Sequence, residues 1–491
     1  MRKYHQAALT LTAAFSLIAL MFYRHEYNKL RFVLQVFNYF GKPMKNGYYY
    51  DNCTSNMPIS MRLNSDYSEP ISSWQRLSDN FYVYSSYRVN DYEIKTIAFG
   101  EDTDIINYSC KIYIDDDDDN NGGGNYNNEN NNNNNIVSVP GDFSYVVMDS
   151  THQPQSTNDV YEGDKTYSGF ILTCKCQMAI DNDKQVIGVE YSSSPSTATN
   201  NDEYIYQSVH TIIDDNNNNN NKSAMAICIT PYNSNSNNLP KRMDMISYLS
   251  FNHYIGLNNF IIYNSDIISH VFNNGLKALA ALTSNSNNSF TYTTVTWNFP
   301  YKNMPSFILR KIIETDCIYR SYNKAAFSMT FEWNEYLNLN HHSSFLNLLS
   351  NIDKSVFFGT TEAADTTILG NNKNIDRYEI NVVTYCTDMA SHDSFNNTTP
   401  IILRATRRLV NNKFTQQRFV YKLINNINNI ADNKLITKDN MNDFVVINKY
   451  EKCFIDDKNK NQLFENGLLK FAEFMTNSQI FQYYISGKLF Y

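Results

Sequence analysis

The chain has 491 residues, with Lys+Arg 41 against Asp+Glu 49, a net charge of −8 and 42% hydrophobic residues. That length suits two domains with sizeable cores, and the acidic balance leaves no basic stripe for nucleic acid. Runs of asparagine interrupt an otherwise globular sequence rich in Tyr and Phe.

At the N-terminus, after Met1-Arg2-Lys3, residues 7–23 (AALTLTAAFSLIALMFY) form an uncharged apolar run. It sits at the short end of what spans a bilayer and lacks a small-any-small cleavage pattern, so residues 1–23 read as a signal anchor. Residues 24–45 follow as a basic and aromatic stem. Cysteines number 8, an even count, and sequons occur at Asn52, Asn107, Asn221, Asn287, Asn396 and Asn397. Together these favour a single-pass type II protein with a lumenal, disulfide-bonded bulk and one membrane span.

From 46 to 205 the signals are short strands, among them 80–89, 93–100, 110–114, 167–177 and 184–192. All are rich in Tyr, Val, Ile and Thr and broken by Asp, Asn and Gly, which predicts a β-rich domain. Residues 115–135 (DDDDDNNGGGNYNNENNNNNN) cannot bury apolar surface and read as a disordered insert. No glycine-spaced ligand pattern accompanies the five aspartates. Residues 206–222, ending in another Asn run, read as a linker.

The rhythm changes over 223–491. Strands at 224–230, 258–264, 291–297 and 325–331 alternate with helices at 240–256, 265–276 and 306–322, the second capped by Ser265. Such alternation predicts a doubly wound, largely parallel sheet, which binds ligands outside the carboxyl ends of its strands. Asn264, Trp297 and Glu332 all fall at such ends. Glu332-Trp333-Asn334-Glu335 follows the apolar run AAFSMTF and places two acidic residues around an amide.

The order YVYSSYRV, CITP (228–231), SYLSFNHYIGLNNFIIYN (247–264), WNFP (297–300), DCIYR (316–320), FEWNEYL (331–337) and NKYEKC (448–453) resembles glycosyltransferase family 92. The resemblance runs from about Trp74 to Ile480. It implies a Golgi enzyme with a Rossmann-like nucleotide-sugar domain of GT-A type. That enzyme transfers a hexose, galactose or a relative, from a UDP-sugar donor to a glycan acceptor, with Mn²⁺ and inversion. It also implies that Glu332, Asn334 and Glu335 are the metal ligands and that Asn264, Trp297, Asp316 and Arg320 flank the donor.

The departures carry weight. Where the family has Asp-any-Asp-Glu, this chain has Glu332, Asn334 and Glu335; its Glu-Trp is Ser247-Tyr248, its Tyr-Asp is Tyr263-Asn264, and its His-Tyr-Arg is Lys449-Tyr450-Glu451. Two carboxylates still suffice for a hard cation whose other ligands are phosphate and water. The same substitutions fit a catalytically silent relative that binds glycans or partner proteins. Asp316 and Arg320, four apart on a helix, fit either a donor contact or a simple ion pair, and Trp297 either a stacking platform or core. His341-His342 reads as exposed and inert. Asp388 and His392 are the candidate bases for an inverting displacement, which needs a carboxylate or imidazole near the acceptor hydroxyl.

Overall fold

The computed structural model describes stretches between Ser72 and Gly487. Residues 1–71, 116–135, 149–166, 194–203, 212–222, 232–241, 353–374, 388–399, 424–437 and 453–461, with several shorter segments, lie outside the described residues. The predicted anchor and stem therefore lie outside them, as does nearly all of the 115–135 insert. Among the described residues no helix is long and apolar enough to cross a membrane.

The first eight strands are β1 (Gln75–Ser78), β2 (Phe81–Arg88), β3 (Glu93–Glu101), β4 (Tyr108–Asp115), β5 (Ile136–Met148), β6 (Tyr167–Lys175), β7 (Gln185–Ser193) and β8 (Tyr204–Thr211). Their order is β1-β2-β3-β6-β5-β4-β7-β8, and a further pairing of β2 with β8 closes seven of them into a barrel. The closing pair is parallel, with Ser86, Tyr87 and Arg88 opposite Val209, His210 and Thr211. Closure removes the unpaired strand edges that would otherwise recruit other chains.

Side chains alternate across each strand, so one set of residues from β2, β3, β4, β6 and β7 fills the barrel: Phe81, Val83, Ile94, Ala98, Ile112, Phe170, Leu172 and Val189. A disulfide between Cys110 and Cys174 ties β4 to β6. A Cβ on Gly141 would lie 2.4 Å from the Cys174 sulfur, so the disulfide needs a glycine there. The alternate set (Tyr84, Tyr87, Ile97, Phe99) faces outward yet is buried, because it packs with residues of the second sheet in a shared core. That double burial explains why β2 and β3 read as nearly continuous apolar and aromatic runs.

The second sheet begins with β9 (Ser223–Ile229), β10 (Asn259–Asn264), β11 (Thr291–Thr296) and β12 (Ala325–Phe331). These four are parallel, in the order β11-β10-β9-β12. Helices α1 (Arg242–Tyr254), α2 (His270–Thr283) and α3 (Ser306–Ser321) lie between them in sequence. After α1 the chain turns at Gly256, whose φ of +93° is a conformation only glycine adopts cheaply. The α2 cap is Ser269, whose hydroxyl accepts from the Phe272 N–H at 3.2 Å, so the helix starts later than a Ser265 cap implies. A disulfide between Cys228 and Cys317 pins α3 to β9. Cys386 is also disulfide-bonded, whereas Cys176 is a buried free thiol. These disulfides are consistent with a secreted or lumenal protein.

The sheet does not end at β12. It continues antiparallel through β16 (Gln417–Lys422) and β14 (Arg377–Cys386) to β15 (Arg407–Leu409) and β19 (Gln462–Phe464). Three more strands, β13 (Glu335–Leu339), β17 (Lys438–Asn440) and β18 (Val445–Glu451), join it through β14 and β18, and α4 (Phe345–Ile352) follows β13. The result is an 11-stranded sheet curled into a half-barrel.

The predicted fold class, an α/β Rossmann-like nucleotide-sugar domain of GT-A type behind a β-rich domain, is therefore corrected. The described residues are mostly β, 50% strand and 27% helix, built from a closed barrel and a curled sheet. The alternation over 223–331 is real but local. It is extended by seven mixed strands, β13 to β19, of which β15, β17 and β19 have three residues each, while the ten-residue β14 pairs with strands far along the chain. Barrel closure joins residues more than a hundred apart, a pairing that no local pattern announces.

Candidate functional site

The four parallel strands finish together. Asn264 lies opposite Thr296, while Phe331 and Ile262 both lie opposite Ile229. Beyond those pairs, the Trp297 N–H donates to the Asn264 carbonyl at 2.9 Å, and the Thr230 N–H to the Phe331 carbonyl at 2.8 Å. β12 therefore delivers Glu332 into a tight turn at the edge of the parallel block, next to the end of β9. The Glu335 N–H closes that turn on the Glu332 carbonyl at 3.0 Å, and β13 begins.

The structure brings Glu332, Asn334 and Glu335 into this one turn and surrounds them with cations. Glu335 is fully buried; its Oε2 accepts from the Glu332 N–H at 3.0 Å and from Arg310 at 3.2 Å. Its Oε1 accepts from Arg418 Nε at 2.9 Å and from Arg418 Nη2. Arg310, from the second turn of α3, also reaches Glu314 Oε1 at 3.2 Å, Glu332 Oε1 at 3.1 Å and the Thr330 carbonyl. Lys449 sits opposite Glu335 across the β13–β18 ladder, and its Nζ lies 3.3 Å from both Glu332 Oε2 and Glu451 Oε2. The Asn334 amide donates to the Tyr450 carbonyl at 2.9 Å, while the Asn334 carbonyl accepts from the Tyr450 N–H at 2.9 Å. Asn334 is thus a fastener between turn and strand.

Burial pushes the Glu335 carboxyl up, but Arg310 and Arg418 outweigh it and hold the group down at about 2. Lys449 shows the mirror image: burial lowers it, and Glu332, Glu335 and Glu451 raise it above its ordinary value. Within the turn, Glu332 is the carboxylate that still meets solvent, with 31% of its side chain exposed, and Glu451 beside it is 42% exposed.

This donor set does not fit the manganese ion that the family resemblance implies. Both Glu335 oxygens are taken by guanidinium groups and a backbone N–H, and both Glu332 oxygens face cations. A divalent ion would have to displace fixed positive charge from a partly buried site. Among the described residues no group of three His, Cys, Asp or Glu side chains is arranged to hold a metal.

The expected donor residues lie elsewhere. Asp316 and Arg320 are four apart on α3 and buried. Asp316 Oδ1 accepts from Ser85 and from the Tyr87 hydroxyl at 2.6 Å, and Oδ2 from the Tyr263 hydroxyl at 2.5 Å and Arg320 Nε at 3.0 Å. Arg320 Nη2 continues to Ser72 Oγ at 2.8 Å. The knot joins barrel strand β2 to α3 and β10. Trp297 is 5% exposed and packs against Trp74, Tyr84, Tyr263 and Phe299. Asn264 is half-buried, its Oδ1 accepting from the Ile268 N–H at 3.1 Å. Asp388 and His392 lie outside the described residues.

His210 belongs to the same knot, stacked on Tyr87 with Nε2 3.3 Å from Ser72 Oγ. Burial first, then the Arg320 charge, pushes its pKa down from 6.5 to about 3. A depressed histidine contributes stability that is present above its unfolded value and lost as pH falls towards the folded one. Between pH 7 and 4.5 the wild type is therefore expected to lose on the order of 2 kcal/mol more than His210→Gln. Urea unfolding at the two pH values measures this, and equal losses would show that His210 titrates normally.

Sequence reasoning missed Arg310 and Arg418. Arg310 carried a signal, the i,i+4 spacing to Glu314 within an apolar helix; Arg418, in QQRFVY, carried none. No protein-family model matches the chain, and no curated protein matches it.

Proposed function

We propose that this chain is a Golgi glycosyltransferase of the family 92 type, transferring a hexose such as galactose from a UDP-sugar to a glycan acceptor with inversion. The observation that carries this reading is the placement of the Glu332–Glu335 turn at the carboxyl ends of four adjoining parallel strands, where open sheets gather ligands. The motif order from YVYSSYRV to NKYEKC supports it from the sequence side. In this scheme Glu332, the exposed carboxylate of the turn, accepts hydrogen bonds from donor hydroxyls, and Arg310, Arg418 and Glu335 hold it in place. Transfer moves the anomeric carbon from the diphosphate oxygen to an acceptor hydroxyl, whose proton leaves to a base.

A second reading is a catalytically silent lumenal protein that binds glycans or partners. The observation favouring it is the burial of Asp316, Arg320 and Trp297, whose polar groups and rings are already engaged by the protein.

UDP release from a panel of UDP-hexoses, with and without glycan acceptors, separates the two. Turnover with one donor is expected, and Glu332→Gln should lower kcat/KM about 100-fold with little change in melting temperature. Absence of turnover with every donor, or full activity in Glu332→Gln, supports the silent protein.

A further inference from the structure

Strand β8 changes partner along its length. Residues 204–208 pair with β7, whereas among the described residues 209–211 are held in the ladder by β2 alone, through three residue pairs. That short parallel seam closes the barrel, and Val209 is its core side chain. Opposite Tyr87 in the seam stands His210, partly buried, with its ring stacked on Tyr87 at 5.1 Å. The direction of its hydrogen bond follows from Arg320. A guanidinium only donates, so Ser72 Oγ accepts from Arg320 Nη2 at 2.8 Å and keeps its own proton for His210 Nε2, 3.3 Å away. The imidazole therefore closes the seam as a neutral acceptor.

The charges around it leave no place for an imidazolium. Arg320 lies on the far side of Ser72, and Lys324 follows just past α3, both adding positive charge. The carboxylate that faces them is Asp316, whose oxygens already accept from Ser85, Tyr87, Tyr263 and Arg320. A proton on Nε2 would reverse the bond to Ser72 and set a second cation beside Arg320 in a poorly solvated seam.

We propose that the β2–β8 seam is an acid-released latch with His210 as its trigger: protonation of the imidazole frees residues 209–211 from β2 and opens the barrel, while the rest of both sheets stays paired. The latch is independent of the transfer reaction proposed above. Linkage gives its direction. The closed seam binds the proton more weakly than the open one, so closure is complete above about pH 6.5 and is progressively lost as pH falls below it.

The test is amide hydrogen exchange of the full-length protein at pH 7 and 5.5, read by mass spectrometry with single-amide fragmentation. Each rate is divided by the intrinsic rate at that pH. Protection at 209–211 is expected to fall about tenfold, the linkage of a group that titrates at 6.5 when open and at about 3 when closed. Residues 204–208 on β7, and strands β9 and β12, should keep theirs. His210→Gln still offers Ser72 an acceptor but takes up no proton, so its protection should be the same at both pH values. His210→Phe keeps a ring against Tyr87 without titrating, and gives the same reading if the glutamine variant does not fold. Unchanged protection in the wild type overturns the latch. An equal fall in the variants assigns the effect to other groups and also overturns it, as does a fall spread evenly over all strands.

Discussion

Glu335→Ala is expected to destabilise the protein by about 3–5 kcal/mol, the usual result of removing one partner from a buried ion pair. The cost comes from what stays behind. Arg418, 7% exposed, would keep its neutral acceptors, the Gln417 carbonyl and Gln416 Oε1, but its nearest carboxylate would be the Glu332 oxygen at 3.6 Å, and the Glu332 N–H would lose its acceptor. Whether the intact cluster stabilises the fold relative to an apolar one is a separate matter, because desolvating its charges consumes much of the Coulombic gain. The pH dependence fixes the sign. Burial opposes ionisation, but the two guanidinium groups win, so the folded carboxyl lies at about 2 against an ordinary 4.5. Stabilisation is then complete above pH 4.5 and is lost as pH falls towards 2. Urea midpoints of wild type and variant should converge over that window. A loss below about 1 kcal/mol at pH 7 would mean that Glu335 is not the anchor of the turn.

Asp316→Ala is expected to cost a similar amount, about 3–5 kcal/mol, by a different route. It strands the buried Arg320 charge and removes the acceptor of the Ser85, Tyr87 and Tyr263 hydroxyls in one step. Burial raises the Asp316 carboxyl, yet Arg320 and the three hydroxyls bring it below 3.8. Its contribution is therefore present above that pH and lost below it. Since the knot joins β2 to α3 and β10, damage should appear at the seam between barrel and sheet. The near-ultraviolet signal of Trp74 and Trp297, which pack there, should broaden before the far-ultraviolet signal falls. An unchanged urea midpoint would show that Asp316 is dispensable to this seam.

The parts of the fold that depend on near neighbours were legible. The strands of the barrel and of the parallel block follow from β-branched and aromatic runs, and the breaks between them from Asn, Asp and Gly. What was not legible depends on pairing across long separations. β2 looks like any strand until β8 closes on it, and β14 joins one sheet only by pairing with β16 and β18, tens of residues away. At the site, the turn at Glu332 could be read from its position after an apolar strand. Its neutralisation could not, because Arg310, Arg418 and Lys449 arrive from a helix and two distant strands. Asp316 was noticed as half of an i,i+4 pair, but its three hydroxyl partners come from β2 and β10.

The central claim is that the Glu332–Glu335 turn belongs to a sugar-nucleotide donor site. UDP release from a panel of UDP-hexoses with glycan acceptors, comparing wild type with Glu332→Gln, meets that claim head on. The expected result is turnover with one donor that Glu332→Gln lowers about 100-fold. No turnover with any donor, or full activity in Glu332→Gln, would contradict it.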